Sequence, residues 1–407
     1  MLSWPTADEG KAVPDLFSPY TLKGVTLRNR IGMSPMTMHE SVDGKMDDYH
    51  VMYLGARAAG GFGLVFPEQI AIVPEGRTTV DCAGLWDDGQ IEGHARVTSM
   101  IRRMGGVAGI QLGHTGRKGS EVAKHGQVGE YGGGSQLPPD HPRGWSVSGP
   151  SAIPYDDGTH DHPVHALTRE EIRGLHRAYA DAARRAADAG YRWLEMHFAH
   201  GYLAAEFFSP LANHRDDEHG GSLENRTRFL LEALDAVREV WPEEYPLTMR
   251  LGSDDGHPDG VQFDDAVTAV GWMAGHGLDM ADMSMGFNTA DMPNRPDFHR
   301  PAFMAERAAR VRREIGIPMM SSWNLGRPQD ADAAIRDEWV DLVLLGTPSL
   351  ANPHWPLWAA RELGHERPFS LLPDDWRWWL ENFRGPATSI GLPPPGAAAA
   401  SSDDSAA

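Results

Sequence analysis

Two spacings of apolar residues alternate along the chain. Short strand-like runs lie at 31–36, 63–67, 107–112, 192–197, 247–251, 280–285, 318–322 and 341–346. Several, such as DLVLLG at 341–346, are apolar without alternation, as a strand buried on both faces requires. Between them the spacing becomes helical, over 90–103, 169–189, 223–240, 263–276, 302–314 and 329–337. The helix opening after Thr168 has the most complete local signals: Thr168 as cap, Glu171 three residues on to close a capping box, and Gly190 just past the end.

Repeated strand–helix units need a parallel sheet covered on both faces, and eight of them close into a (β/α)8 TIM barrel, an α/β fold in one domain. A doubly wound open sheet is the alternative, but no G-x-G-x-x-G follows any predicted strand. Residues 119–165, rich in Gly, Pro, Ser and His, interrupt the repeat and are expected to form a long capping loop after strand 3. The expected organisation is an N-terminal segment at 1–14, the barrel at 15–365 with its insertion at 119–165, a C-terminal extension at 366–392 and a disordered tail at 393–407.

Charge narrows the partners. With 37 Lys and Arg against 57 Asp and Glu, a net charge of −20 repels phosphate backbones and anionic lipid, so neither nucleic acid nor a membrane is expected. The one cysteine, Cys82, can form no intrachain disulfide, four-cysteine iron–sulfur cluster or Cys-based zinc site. That usage, and a first stretch without a basic start and apolar core, point to the cytoplasm.

Barrel chemistry comes from the C-terminal ends of the strands, and these ends are polar. Strand 3 ends in Gln111, with His114 and Lys118 beyond it, strand 5 in Arg250, and strand 1 runs into MSPMTMH. Strand 4 runs into His197, Phe198, Ala199, His200, Gly201 and Tyr202. Two imidazoles followed by a phenol could hold a developing oxyanion while another group delivers a proton. Metal ligation and plain structural histidines are the competing readings; no carboxylate or third His stands at an obvious ligand spacing.

At these residues the chain resembles the old yellow enzymes, FMN-dependent ene-reductases. The similarity rests on HFAHGYLAAEFFSPLANHRDDEHGGSLENRTRFLLE, on DLFSPYTLKGVTLRNRIGMSPMTM and on GIQLGHTGRK, in the family's order, and covers roughly 15–365. The form of these motifs is closer to the bacterial, thermophilic-like branch than to the yeast-type one. The resemblance implies non-covalent FMN, with NADPH or NADH as donor, in a ping-pong cycle. It implies Pro35, Met36 and Thr37 along the flavin, with Thr37 where many members carry Cys. Gln111 would read the pyrimidine and Arg250 would sit beside N1 and O2, with Gln69, Trp323, Asn324, Gly346 and Thr347 completing the cofactor site. His197 and His200 would bind the carbonyl oxygen of an unsaturated substrate and Tyr202 would protonate its α-carbon; no metal is implied.

The sequence departs from the family at several of these positions. The family usually has Gly-Arg after strand 8, the Arg gripping the FMN phosphate; here the pair is Gly346 and Thr347. Backbone N–H groups could still cradle a phosphate there, and Arg327 is a candidate replacement charge. Trp323 stands where a small residue is common, and Gln69 where the similar branch often has Ala. The expected substrate is a small α,β-unsaturated carbonyl compound. Desaturation or isomerisation at the same site, a dienoyl-type substrate, and a flavin-binding protein with weak turnover are the alternatives. An even-numbered homo-oligomer is expected; in the similar branch a C-terminal Arg can reach a neighbour's site, a place Arg377 or Arg384 could fill, with a plain surface role as the alternative.

Overall fold

The computed structural model describes residues 13–393. Most of the expected N-terminal segment, and the expected tail beyond Pro393, lie outside the described residues. Eight parallel strands close into a barrel: β1 (Ile31–Met33), β2 (Leu64–Val65), β3 (Val107–Gly113), β4 (Trp193–Phe198), β5 (Leu247–Gly252), β6 (Met280–Ser284), β7 (Met319–Ser321) and β8 (Leu342–Leu345). Each pairs with the next, and β8 returns to β1 through Val343 opposite Ile31, which closes the ring, while a ninth short strand, Gln69–Ala71, pairs with β3 alone. Outside lie α1 (Asp48–Ala59), α2 (Ile91–Arg103), α3 (Arg169–Asp188), α4 (Leu223–Arg238), α5 (Phe263–Gly275), α6 (Phe303–Ile315), α7 (Pro328–Arg336) and α8 (Trp355–Glu362). All eight expected strands and all six expected helices are present, with ends shifted by a few residues.

Local chemistry accounts for the clearest boundary. Thr168 Oγ1 accepts from the Glu171 N–H at 3.3 Å, and Glu171 Oε2 accepts from the Thr168 N–H at 2.7 Å, closing the capping box. Gly190 follows with φ +93°, a conformation that favours glycine. Such a cap stabilises a helix by about 1 kcal/mol, and the larger contribution comes from Ile172, Tyr179, Ala182, Ala183 and Ala186, buried on one face.

Along each strand, alternate residues face inward and outward. Leu194, Met196, Leu247, Met249, Met283 and Val343 belong to the large core between sheet and helices. Their neighbours Trp193, Met280, Met320, Leu342 and Leu344 form a separate cluster with Val25 and Leu27 of the hairpin Tyr20–Leu22/Val25–Leu27. This second cluster fills the barrel interior at its N-terminal end. Two residues further along β4 and β6 the inward positions turn polar, at Glu195 and Asp282, and β5 places Arg250 opposite Asp282.

Between β3 and α3, residues 119–165 carry two short strand pairs, Gln127–Val128 with Tyr131–Gly132 and Ser148–Gly149 with His165–Ala166. His160 is clamped between Glu121 (2.7 Å) and Asp157 (3.0 Å), which ties the two ends of the insertion together. Past the barrel, the helix Asp374–Glu381 exposes Trp376, Trp378 and Trp379.

Candidate active site

A cavity of about 810 Å3 opens where the strands end. Its wall takes Ser34 and Pro35 from the end of β1, His200 and Tyr202 from beyond β4, Arg250 from β5, Phe287 from beyond β6, Ser322–Gly326 from beyond β7, and Gly346–Pro348 from beyond β8. It therefore lies where barrel enzymes place their chemistry.

Its floor is the polar inward layer. Arg250 is opposite His197 on β4 and Asp282 on β6, a consequence of register. Its Nη2 donates to Ser322 Oγ at 2.6 Å and its Nη1 to Ser34 Oγ at 3.3 Å, while Nε lies 3.2 Å from Asp282 Oδ2 at ion-pair distance. Gln111 Nε2 donates to Glu195 Oε1 at 2.7 Å. Burial raises both Glu195 and Asp282 above the usual carboxylate range; for Glu195 the Asp282 charge adds to this, and Arg250 works against it in both.

Above this floor the His197 and His200 rings lie 4.9 Å apart, at 77° to each other, and the Tyr202 ring is 5.2 Å from that of His197. Burial, followed by the Arg250 charge, holds both imidazoles well below their ordinary pKa, so both are neutral at pH 7. Burial pushes the Tyr202 phenol upward and keeps it protonated. The turn carrying these groups is tightly specified. His200 has φ +65° and Gly201 φ +67°, and a Cβ at Gly201 would meet the Phe287 carbonyl oxygen at 2.2 Å. Lys118 Nζ donates to the carbonyls of His200 (2.9 Å) and Phe287 (2.7 Å) and lies 3.9 Å from the Tyr155 ring centroid, joining the turn to the 119–165 insertion. Burial lowers its pKa to about 7.

Pro35, His200, Tyr202, Arg250, Trp323, Asn324, Gly346 and Thr347 are on the cavity wall. His197 is buried off the wall, and among the described residues its Nδ1 has no hydrogen-bond partner. Met36 and Thr37 are half-buried beyond β1, with Met36 Sδ 3.4 Å from where a Cβ on Gly346 would lie. Gln69 pairs in register with Gln111, and among the described residues its buried Oε1 has no partner. The Asn324 amide nitrogen donates to the Phe298 carbonyl, so it braces its own loop. Arg327, the candidate for a replacement charge, is off the wall: its side chain is 70% exposed and 3.8 Å from Asp330. The group of potential metal ligands that do lie together among the described residues, Asp217, Glu218 and His219, contains neither imidazole of the site.

Sequence inspection missed Ser34, Glu195, Asp282, Ser284, Phe287 and Ser322. The signal for the carboxylates was present: a lone acid at an inward position of WLEMHF and of MADMS, two residues past the apolar plug.

Fold and mouth define a (β/α)8 barrel enzyme with its reactive groups at the strand C-termini. Residues 15–366 match the NADH:flavin oxidoreductase / NADH oxidase family, and the chain belongs to it. It is 40% identical over 352 residues to an NADPH dehydrogenase of Geobacillus thermodenitrificans (strain NG80-2), covering 86% of this chain and 94% of that protein. Among solved structures, the old yellow enzyme homologue from Zymomonas mobilis is similar with TM-score 0.68 at 25% identity, over 84% of this chain and 91% of the other. A 2-naphthoyl-CoA reductase complex matches with TM-score 0.75 at 26% identity over 88% of this chain, which spans only 53% of that longer protein. The protein is thus an FMN-dependent NAD(P)H oxidoreductase of the old yellow enzyme type.

The residues present fit FMN. Arg250 presents a fixed positive charge on the cavity wall, and Gln69 Oε1 is a buried acceptor without a protein partner among the described residues. Among the described wall residues, those of the 323–326 and 346–348 loops include no cation. Among the described residues no helix is long and apolar enough to cross a membrane.

Proposed function

We propose that the protein reduces the activated C=C bond of small α,β-unsaturated carbonyl compounds, with NADPH or NADH as electron source. One observation carries this: the neutral His200 imidazole and the protonated Tyr202 phenol line the cavity beside a fixed guanidinium, with the neutral His197 ring 4.9 Å from that of His200. Bound FMN supplies the hydride chemistry. Pro35, Met36, Thr37, Gln69, Gln111, Arg250, Trp323, Asn324, Gly346 and Thr347 would hold it.

His197 and His200 bind the substrate oxygen by N–H donation. Because they are neutral, they polarise the carbonyl without surrendering a proton to it, and their donation strengthens as negative charge gathers on that oxygen. Tyr202 holds a proton at its Oη until the α-carbon becomes basic enough to take it. Arg250 favours negative charge at the cavity floor, and its own charge is held in place by Ser34, Ser322 and Asp282. The aromatic wall of Phe287 and Trp323 suits a planar conjugated substrate.

The test is a two-stage mixing experiment on the purified yellow protein. Anaerobic NADPH should bleach the flavin band, and 2-cyclohexenone should then restore it with formation of cyclohexanone. Bleaching without recovery on addition of any enone would overturn this assignment while leaving the oxidoreductase class intact.

A further inference from the structure

Ser284, the last residue of β6, is fully buried and receives two neighbours on one hydroxyl. Trp323 Nε1 lies 3.1 Å from Ser284 Oγ and His200 Nε2 lies 2.8 Å from it. An indole N–H can only donate, so one lone pair of Oγ is taken by Trp323. Among the described residues the Ser284 hydroxyl proton has no acceptor other than His200 Nε2. If Nε2 carried the proton, Oγ would accept twice and its own O–H would be buried without a partner, which costs more than a hydrogen bond gains.

We infer that Trp323 is a positioning residue: acting through Ser284, its indole N–H fixes His200 as the Nδ1–H tautomer and so sets the donor that His200 offers to a substrate oxygen. His200 Nδ1 makes no protein hydrogen bond among the described residues, and the ring is on the cavity wall. This deepens the proposed function, since it rests on His200 meeting that oxygen. Burial and the Arg250 charge keep the ring neutral, so the choice of tautomer matters.

The geometry of Trp323 supports a dedicated placement. Its backbone has φ +69°, a region that a bulky residue occupies at a cost, and Asn324 follows at φ +52°. The indole stacks on Phe298 at 5.4 Å and meets Phe303 edge-on at 5.6 Å, which fixes the direction of its N–H. The relay thus joins the loops after β7 and β4 through the end of β6. No single stretch of sequence contains it.

Two readouts test it on the FMN-loaded protein. The first is the 15N shift pattern of His200, assigned by its loss in His200→Asn, which reports which ring nitrogen carries the proton whatever the substrate is. Nδ1–H is expected in the wild type, and an Nε2–H pattern there would overturn the inference even if enone reduction is confirmed. The second is a binding cycle with p-hydroxybenzaldehyde on wild type, Trp323→Phe, Ser284→Ala and the double variant. Trp323→Phe keeps an aromatic ring but loses the N–H, and should weaken binding about three- to tenfold. In the Ser284→Ala background the same change should have no further effect, because the relay is already cut. Ser284→Thr should retain wild-type affinity. Multiplicative losses in the double variant would mean that Trp323 acts by packing alone, which would refute the relay. Absence of phenol binding and of enone reduction in the wild type would sink the proposed function, and the tautomer measurement would still decide the relay.

Discussion

The two ends of the cavity are built on opposite plans. At the floor, beneath His197, His200 and Tyr202, charged and polar side chains are packed on strands and locked to one another. At the other end, around 323–326 and 346–348, the wall consists of loop and of the short helix Thr347–Ala351, with Gly346 half-buried and Thr347 exposed. The first end has to hold groups at fixed positions while charge develops, and strands do that well. The second only has to accept the far end of a ligand, so its composition can vary. The absence of an arginine at position 347 falls in this tolerant half, whereas in the other half Gln111 is tied to Glu195 and Arg250 to Asp282 through register.

Changes at the locked end should cost most. Arg250→Met leaves Asp282 buried beside no cation, and removing one partner of a buried pair costs roughly 3–5 kcal/mol. A fall in the urea midpoint at unchanged m-value would show this; wild-type stability would mean that the floor is more hydrated than its burial implies. Tyr202→Phe removes the proposed proton source and should leave the fold alone. Enone reduction should fall by about 10²–10³-fold, while NADPH-driven bleaching of the flavin, read by stopped-flow, keeps its rate. Equal loss in both halves of the cycle would move Tyr202 from proton delivery to cofactor or donor binding. The mildest change is at the tolerant end. Thr347→Arg should tighten FMN by about tenfold, in line with a charged hydrogen bond, and leave riboflavin, which lacks the phosphate, unaffected in fluorescence titration. An equal gain for both flavins would show that position 347 does not face the phosphate.

Legibility in the sequence followed a similar division. Strands announced themselves because burial on both faces leaves a continuous apolar run, and α3 because its cap and its end are local. Helix α1 was not anticipated: Gly55 interrupts it, and its buried face includes His50 and Arg57, which read as surface residues. Helix α8 opens on Trp355-Pro356, a pair that also suits a turn. Within the site, His197, His200, Tyr202 and Arg250 stood at strand ends and could be found one at a time. The pairs could not. Glu195 meets Gln111 across 84 positions, and Trp323 meets Ser284 across 39, so each partner looks ordinary until the barrel closes.

The alternation along β4 has a further consequence for how such a chain can change over generations. Met196 belongs to the packing outside the barrel, and its neighbours Glu195 and His197 face the interior. Exchange of one side chain for another alters one compartment at a time and can be absorbed. Loss or gain of a single codon within this strand would instead drive the thioether into the reaction chamber and the imidazole into grease, harming catalysis and folding together. Variation here is therefore expected as replacements, with changes in length confined to the connecting loops.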